Sequence, residues 1–354
     1  MKRIALIEFG GSHAECLLSQ FFALKKANYH ITFIGTKQLW EQNKSLHSYA
    51  DAVHFIEFEG KAIGDFKKAL ALNRYLKEHN IEIAIFNTAQ GGHVRNMCLF
   101  APKSVEFIGI IHTLKKFKGS FTQQLITRKI KKYLVLNDYF KEALKDEKGV
   151  QIESFYPLRF PHFKKTVVKN EGEIWVTIIG GVENRRKDLI GSIALMKQLP
   201  SNFRFIFLGK SNAKNEEIAA FLSILESENL NEKVKIFNNF VPEEIFDAYL
   251  KNTDFIWPMV HPNTPSAGEY FRNQIPGAIN VAFSYKIPMW IHSEYVELWG
   301  DLRNSVHYSL ENFPLNFDSL AKQQQEVKAI MLEQEKFKSE FQEEKFRQFL
   351  SLMK

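Results

Sequence analysis

The residues best suited to chemistry lie between Ile174 and Pro288. Gly180-Gly181-Val182-Glu183-Asn184-Arg185-Arg186-Lys187 follows a short apolar run and precedes a helical pattern. Glycines let a turn bring backbone N–H groups close to a phosphate. The cations that follow suit a diphosphate: a guanidinium grips it through two parallel hydrogen bonds, and an ammonium acts as a point charge. Arg185, Arg186, Lys187 and Gly181 are therefore candidate diphosphate ligands. Farther on, Pro276-Gly277-Ala278-Ile279-Asn280 opens another helix, where the free N–H groups of Gly277 and Ala278 suit the same anion. The loop before it, His261-Pro262-Asn263-Thr264-Pro265-Ser266-Ala267-Gly268-Glu269, is dense in turn and polar residues. It follows a strand, which makes His261 and Glu269 candidates for ligand contacts. The competing readings are a solvated charged turn, a plain helix start and a structural loop.

The first half holds a second set. Gly10-Gly11-Ser12-His13 follows the first apolar run, and His112 ends the run Phe107-Ile108-Gly109-Ile110-Ile111. Both histidines sit where a ligand-facing group belongs in a sheet of parallel strands, and each has the alternative of a packed or capping histidine. Gly91-Gly92-His93 is a weaker version of the same pattern, and Glu15 suits the first turn of a helix. The spacing G-x-G-x-x-G is absent, and the second strand ends Gly35-Thr36-Lys37 without an acid, which argues against a nicotinamide dinucleotide.

Positioning these residues falls to alternating strands and helices. Apolar runs at Ile4–Phe9, Tyr29–Gly35, Ala52–Phe58, Ile81–Asn87, Glu106–His112 and Tyr133–Asn137 alternate with helical patterns. A second series begins at Ile174, with strands at Trp175–Ile179, Phe203–Leu208, Lys233–Phe237, Asp254–Trp257 and Met289–His292. Such alternation predicts α/β architecture: two doubly wound parallel sheets covered on both faces. Pro157, Pro161 and the polar stretch to Gly172 break the pattern. The expected organisation is a domain over 1–160, a linker over 161–172, a domain over 173–315, and amphipathic helices over 316–354 packing back across the domains. Two such domains imply a cleft, with ligands at the carboxyl ends of the strands.

The chain has 354 residues, enough for two cores, with an ordinary 45% hydrophobic and 25% charged content. No apolar run reaches the ~18 residues of a membrane span. The two cysteines, Cys16 and Cys98, show no metal or disulfide spacing, which leads to the expectation of a reducing cytoplasm. The net charge of +7 is uneven: residues 1–165 hold 26 Lys and Arg against 15 Asp and Glu, and the remainder 21 against 25. The excess is densest at Lys115, Lys116, Lys118, Arg128, Lys129, Lys131 and Lys132, with no acid among them. This is either a solvated face or a contact with an anionic surface, such as bilayer headgroups at the inner face of the cell membrane. No nucleic-acid motif accompanies it, so nucleic acid is not an expected partner.

Residues 174–288 resemble the nucleotide-sugar-binding half of GT-B fold glycosyltransferases, most closely the retaining family-4 group. The resemblance rests on Ile179-Gly180-Gly181 through Lys187-Asp188, on Phe207-Leu208-Gly209, on Phe240-Val241-Pro242 through Tyr249 with Asp254 and Pro258, and on Val281-Ala282-Phe283-Ser284-Tyr285-Lys286-Ile287-Pro288. The first half is similar more loosely, through Gly10-Gly11 and His112. The family has two glutamates spaced Glu-x7-Glu around the last helix; here those positions hold Asn273 and Val281. The resemblance implies two Rossmann-like domains facing a cleft. It implies a metal-independent glycosyltransferase with a nucleoside-diphosphate sugar as co-substrate, no other cofactor, and a carbohydrate or lipid-linked glycan acceptor, in bacterial surface-polysaccharide biosynthesis. It implies Arg185, Arg186, Lys187, Gly181, Gly277 and Ala278 on the diphosphate; Asn280, Glu269, Val241 and Gly209 around the sugar, ribose or base; and His112 and His13 on sugar or acceptor, either one serving as general base if the enzyme inverts. The alternatives are a non-catalytic binding protein or partner subunit, suggested by Val281, and a sugar-nucleotide epimerase on the same fold.

Overall fold

The computed structural model describes residues 1–11, 13–212, 214–310 and 317–351. The chain divides into two units. Unit 1 comprises Met1–Phe160 with Ser339–Lys354, and unit 2 comprises Pro161–Lys338.

In unit 1 the elements are β1 (Arg3–Glu8), α1 (Leu17–Lys26), β2 (His30–Gly35), α2 (Lys37–Gln42), β3 (Ala52–Phe55), α3 (Ala62–Glu78), β4 (Ile83–Phe86), α4 (Gly92–Leu99), β5 (Glu106–Ile111), α5 (Leu114–Gly119), α6 (Phe121–Lys129), β6 (Lys132–Val135), α7 (Asp138–Ala143) and β7 (Gln151–Ser154). The strands form one sheet in the order β3-β2-β1-β4-β5-β6-β7, and every neighbouring pair is parallel. Ile4 to Ile7 of β1 and all of β4 are buried, as central strands covered on both faces must be. Before α1, residues Ala14–Cys16 form a 3-10 turn, and His13 ahead of it has φ +66°. The short, polar strand β7 carries no alternation that reveals it in the sequence. Its Glu153 accepts from Lys141 (2.6 Å).

Unit 2 contains β8 (Ile174–Ile179), α8 (Leu189–Gln198), β9 (Phe203–Lys210), α9 (Glu216–Ser227), β10 (Val234–Phe237), α10 (Glu243–Leu250), β11 (Phe255–Ile256), α11 (Gly277–Tyr285), β12 (Trp290–His292), α12 (Ser293–Val296), β13 (Val306–Tyr308) and α13 (Phe317–Glu333). Its sheet runs β10-β9-β8-β11, all parallel, and β12 pairs with β13 in a two-stranded ribbon. The core gathers Phe203, Phe205, Phe207, Phe221 and Phe255 around Trp257 and Trp290. The stretch 161–172, read above as a linker, is part of unit 2: Phe163 N donates to Asp247 (2.7 Å), and Lys169 to Asp254 (2.5 Å). The boundary expected at 315–316 lies outside the described residues.

The last helix, α14 (Ser339–Ser351), belongs to unit 1. Buried Glu343 accepts from Arg159 Nε (2.6 Å) and Lys26 (2.8 Å), and Gln342 accepts from Tyr156 N (3.0 Å). Phe346 packs on Phe155.

Candidate functional site

Strand order in unit 1 reverses between β1 and β4, the position at which an open parallel sheet leaves a crevice at its carboxyl edge. Glu8, the last residue of β1, is buried there. Its carboxylate accepts from Gly10 N, Asn87 Nδ2 and Thr88 Oγ1, each at 2.7 Å. Burial raises its pKa against the pull of those hydrogen bonds. Asn87, fully buried after β4, is the hub: its Oδ1 accepts from Gln20 (2.6 Å), and its Nδ2 also donates to the His13 carbonyl (3.0 Å).

The Asn87 carbonyl accepts from His112 Nε2 at 2.6 Å. A carbonyl only accepts, so Nε2 carries the proton and Nδ1 presents a lone pair. That Nδ1 is buried and finds no partner among the described residues. Burial, followed by the nearby charge of His13, pushes the His112 pKa down to about 3. His112 is therefore a neutral ring at physiological pH. His13 stacks on it with centroids 3.7 Å apart and planes 23° from parallel. His13 Nδ1 lies 3.5 Å from Glu15 Oε1, and its side chain is 37% exposed. Burial raises the Glu15 pKa, but hydrogen bonding to His13 and its charge outweigh it, so the net shift is downward. The left-handed backbone of His13 is uncommon for a residue with a side chain and persists where its surroundings fix it. The bond from Asn87 to the His13 carbonyl is one such restraint. The structure thus brings the two predicted histidines together. Ser12 lies outside the described residues.

In unit 2 the turn after β8 takes the left-handed form at Gly180 (φ +90°). Gly209, at the end of β9, packs directly on it: a Cβ at 209 would lie 2.2 Å from the Gly180 carbonyl oxygen. The close approach of these two backbones is itself a reason for glycine at 209. Lys187 is enclosed rather than solvated. It is only 6% exposed, and its ammonium donates to the Gly181 carbonyl at 2.9 Å. Burial pushes its pKa down to about 8. Arg186 and Arg185 stay near the surface and share Glu183, at 2.6 and 3.8 Å. The predicted cluster of three cations is thus two guanidinia with a shared carboxylate counterion and one enclosed ammonium.

The loop after β11 is fastened to this turn. Ser266 donates to the Arg185 carbonyl through N (3.1 Å) and Oγ (2.6 Å), and Asp188 N donates to the Met259 carbonyl (3.0 Å). Asp188 caps α8 through Gly191 N (2.8 Å) and accepts from His261 (2.8 Å). The His261 hydrogen bond holds the Asp188 carboxyl below its usual range. His261 itself is fully buried, so its expected role as a ligand contact gives way to a structural one. Glu269 is half-buried, and its carbonyl accepts from Asn273 N (2.8 Å). At the start of α11 Gly277 is exposed and Ala278 buried, with first-turn amides that no carbonyl of the helix itself satisfies. Asn280 and Val281 lie on the buried side of α11, and Val241 is buried before α10. Asn280 and Val241 are thus enclosed to about the same degree as Lys187 and His112.

The basic stretch is also divided. Lys129 donates to the carbonyls of Pro102 (3.1 Å) and Val105 (2.9 Å), Lys131 to Thr127 (2.9 Å), and Lys132 pairs with Glu106 (3.2 Å). Lys115, Lys116, Lys118 and Arg128 are exposed, as is Phe121 at 71%. Cys16 and Cys98 are free and buried. Among the described residues no helix is long and apolar enough to cross a membrane, and no three His, Cys, Asp or Glu are grouped as metal ligands.

Sequence reasoning passed over Glu8, Asn87, Asp188 and Tyr308. An acid as the last residue of a buried strand was the available signal for Glu8. For Tyr308 there was none, because its strand is three residues long.

No family model matches the sequence, and no curated protein matches it. Solved structures do match. A glycosyltransferase from Rickettsia africae ESF-5 is 13% identical and superposes with a TM-score of 0.65, covering 100% of this chain and 99% of its own. Anabaena HepE, solved with UDP and glucose, is 11% identical with a TM-score of 0.69, covering 100% of both chains. The UDP-GlcNAc 2-epimerase of Neisseria meningitidis, bound to UDP-GlcNAc, is 11% identical with a TM-score of 0.64, covering 99% of this chain and 100% of its own. At such identities the shared property is the fold: this chain has the α/β fold of parallel, Rossmann-like sheets found in GT-B glycosyltransferases and in epimerases of the same architecture.

Proposed function

We propose that this protein is a glycosyltransferase that moves a sugar from a nucleoside-diphosphate donor to a carbohydrate or lipid-linked glycan acceptor, in the assembly of a bacterial surface polysaccharide. The observation that carries the reading is Lys187: an enclosed ammonium beside the Gly180-Gly181 turn, which is left-handed at Gly180, with one carbonyl partner in place of the hydration it has lost. Such a group is held at a cost that a bound anion offsets. Arg185 and Arg186 add bidentate donors at the rim, and the first-turn amides of Gly277 and Ala278 add dipoles. Charge of this sign stabilises a departing diphosphate without a metal, so chelators should leave transfer unchanged. The solved relatives that bind UDP, glucose or UDP-GlcNAc support a nucleotide-sugar ligand.

In unit 1 the two histidines have separate roles. His112, fixed as the Nε2–H tautomer, is a neutral platform on which the His13 ring stacks. His13, with Glu15 beside it, is the group placed to move a proton. The test is a screen of sugar nucleotides that measures transfer and hydrolysis. Calorimetry with UDP, GDP, ADP and TDP accompanies it: heat with none of the four would sink the nucleotide reading.

The epimerase is the second reading. It is favoured by the carboxyls Glu8 and Glu15 flanking His13, since epimerisation moves protons without an acceptor. Product analysis with labelled donor separates the two, because the epimerase returns an isomeric sugar nucleotide and the transferase releases a nucleoside diphosphate. A lipid-linked acceptor also gives a purpose to Phe121 and the exposed cations of α5 and α6, as a peripheral contact with anionic lipid at the inner face of the cell membrane.

A further inference from the structure

We infer that Asp188, His261 and Tyr308 form a buried latch that sets the phosphate turn by locking residues 259–271 against it, with Asp188 and His261 as positioning residues. The inference rests on the reading of that turn as a diphosphate site. Its direction follows from one end. Trp257 Nε1–H is a donor only, and it reaches the Tyr308 hydroxyl at 2.5 Å. The Tyr308 oxygen therefore accepts, and its own O–H is available to His261 Nε2 at 2.6 Å. With Nε2 accepting, His261 Nδ1 carries the proton and donates to Asp188 Oδ2 at 2.8 Å. Asp188 ends the chain, its other oxygen accepting from Gly191 N at 2.8 Å. Trp257, His261 and Tyr308 are all buried.

The chain joins segments that nothing else in sequence ties together: the end of β11, the loop after it, β13 and the first residue before α8. The loop needs holding. Met259 and Phe271, near its two ends, both take left-handed φ values of +57° and +61°. Such backbone persists where its surroundings over-determine it. The Asp188 N to Met259 bond and the two Ser266 bonds to the Arg185 carbonyl complete the fastening. Asp188 immediately follows Lys187, so a rotation of the 187–188 corner would move the enclosed ammonium away from Gly181.

Tyr308→Phe removes one oxygen and keeps the ring. It strips the latch of its link while Asp188, Lys187 and both arginines remain. Hydrogen–deuterium exchange across 259–271 and 181–188 should rise at least tenfold in this variant, with the exchange of α9 unchanged, and UDP should bind at least tenfold more weakly by calorimetry. Asp188→Asn, which retains the oxygen for Gly191, should do the same and covers the case that Tyr308→Phe misfolds. Wild-type exchange in both segments for the two variants would overturn the latch, as would full UDP affinity in both. If wild type itself gives no heat with UDP, the nucleotide reading fails, and the latch is then decided by the exchange data alone.

Discussion

Both units end their first strand in a glycine turn, yet they enclose opposite charges beneath it. In unit 1 the buried group is Glu8, a carboxylate that accepts from the Gly10 amide; in unit 2 it is Lys187, an ammonium that donates to the Gly181 carbonyl. Each buried group bonds the backbone of its own turn through the complementary peptide atom. The partners differ in kind. Glu8 has three donors and a neighbourhood of histidine and a second acid, whereas Lys187 has one carbonyl, with the Glu183 carboxylate and the Arg186 guanidinium nearby. On the function proposed above, the carboxylate among titratable rings serves proton transfer and the ammonium is the receptor for an anion. The Rossmann-like frame is common to both, and the two edges differ in the sign of the charge they bury.

The largest expected effect tests the receptor half of that contrast. Lys187→Met should weaken UDP binding about a thousandfold, roughly 4 kcal/mol, as truncation of a buried charge partner does. The same change should stabilise the free protein by about 2 kcal/mol, because an apolar side chain avoids the desolvation of the ammonium. Calorimetry and urea titration measure the two. The sign with pH follows. The folded pKa of Lys187 is about 8 and its ordinary value 10.5. Between those values the unfolded chain binds more protons, so the free protein gains stability as pH rises through that window. UDP binding favours the protonated form and should weaken above pH 8. A UDP affinity that is flat from pH 7 to 9 would remove Lys187 from the site.

Glu8→Ala should act in the opposite sense. It leaves the Gly10 amide, the Asn87 side chain and the Thr88 hydroxyl without their acceptor, and should destabilise the protein by about 3 kcal/mol. Stabilisation by both Glu8→Ala and Lys187→Met would erase the contrast between the two turns.

A smaller effect separates His112 from His13. The folded pKa of His112 is about 3 against an ordinary 6.5. Between these values the unfolded chain binds the extra proton, so stability is lost as pH falls from 6.5 towards 3. His112→Gln should recover roughly 2 kcal/mol of the acid-induced loss at pH 4.5, read as the difference between urea midpoints at pH 7 and 4.5. If His112 instead protonated in the native state near neutrality, the variant and wild type would lose stability in parallel.

The alternation of apolar runs and helices was legible in the sequence because buried parallel strands carry continuous apolar residues, as Ile4 to Ile7 and Ile83 to Phe86 do. The short elements β7 and β13 were not legible: three or four residues hold no period, and their pairing comes from distant partners. The glycine turn at 180–187 was read correctly as a place where cations gather, but its electrostatics were not. Sequence adjacency made Arg185, Arg186 and Lys187 look equivalent, whereas the turn sends two outward to Glu183 and one inward to Gly181. The packing of Gly209 on Gly180 was hidden for a related reason: a glycine after a strand fits a ligand and a neighbouring backbone equally well in the sequence.

The smallest effect sharpens the contrast from outside. Unit 1 encloses an acid at its strand edge while its surface carries the chain's basic excess, and the question is which surface cations are available. Lys118 is exposed, whereas the Lys131 ammonium is bonded to the Thr127 carbonyl. A basic residue near an anionic bilayer contributes about 1 kcal/mol, or roughly fivefold in partitioning. Lys118→Ala should therefore weaken sedimentation with anionic liposomes about fivefold at low salt, and Lys131→Ala should leave it unchanged. Raising the salt to about 0.5 M should remove the difference, since exposed charges are screened over a few ångströms there. Equal losses from the two lysines would mean that unit 1 presents a diffuse positive field. Loss from Lys118 alone, together with a loss from Phe121→Ser that survives high salt, would mark a defined lipid-facing surface on α5 and α6, set apart from the acid enclosed at the strand edge.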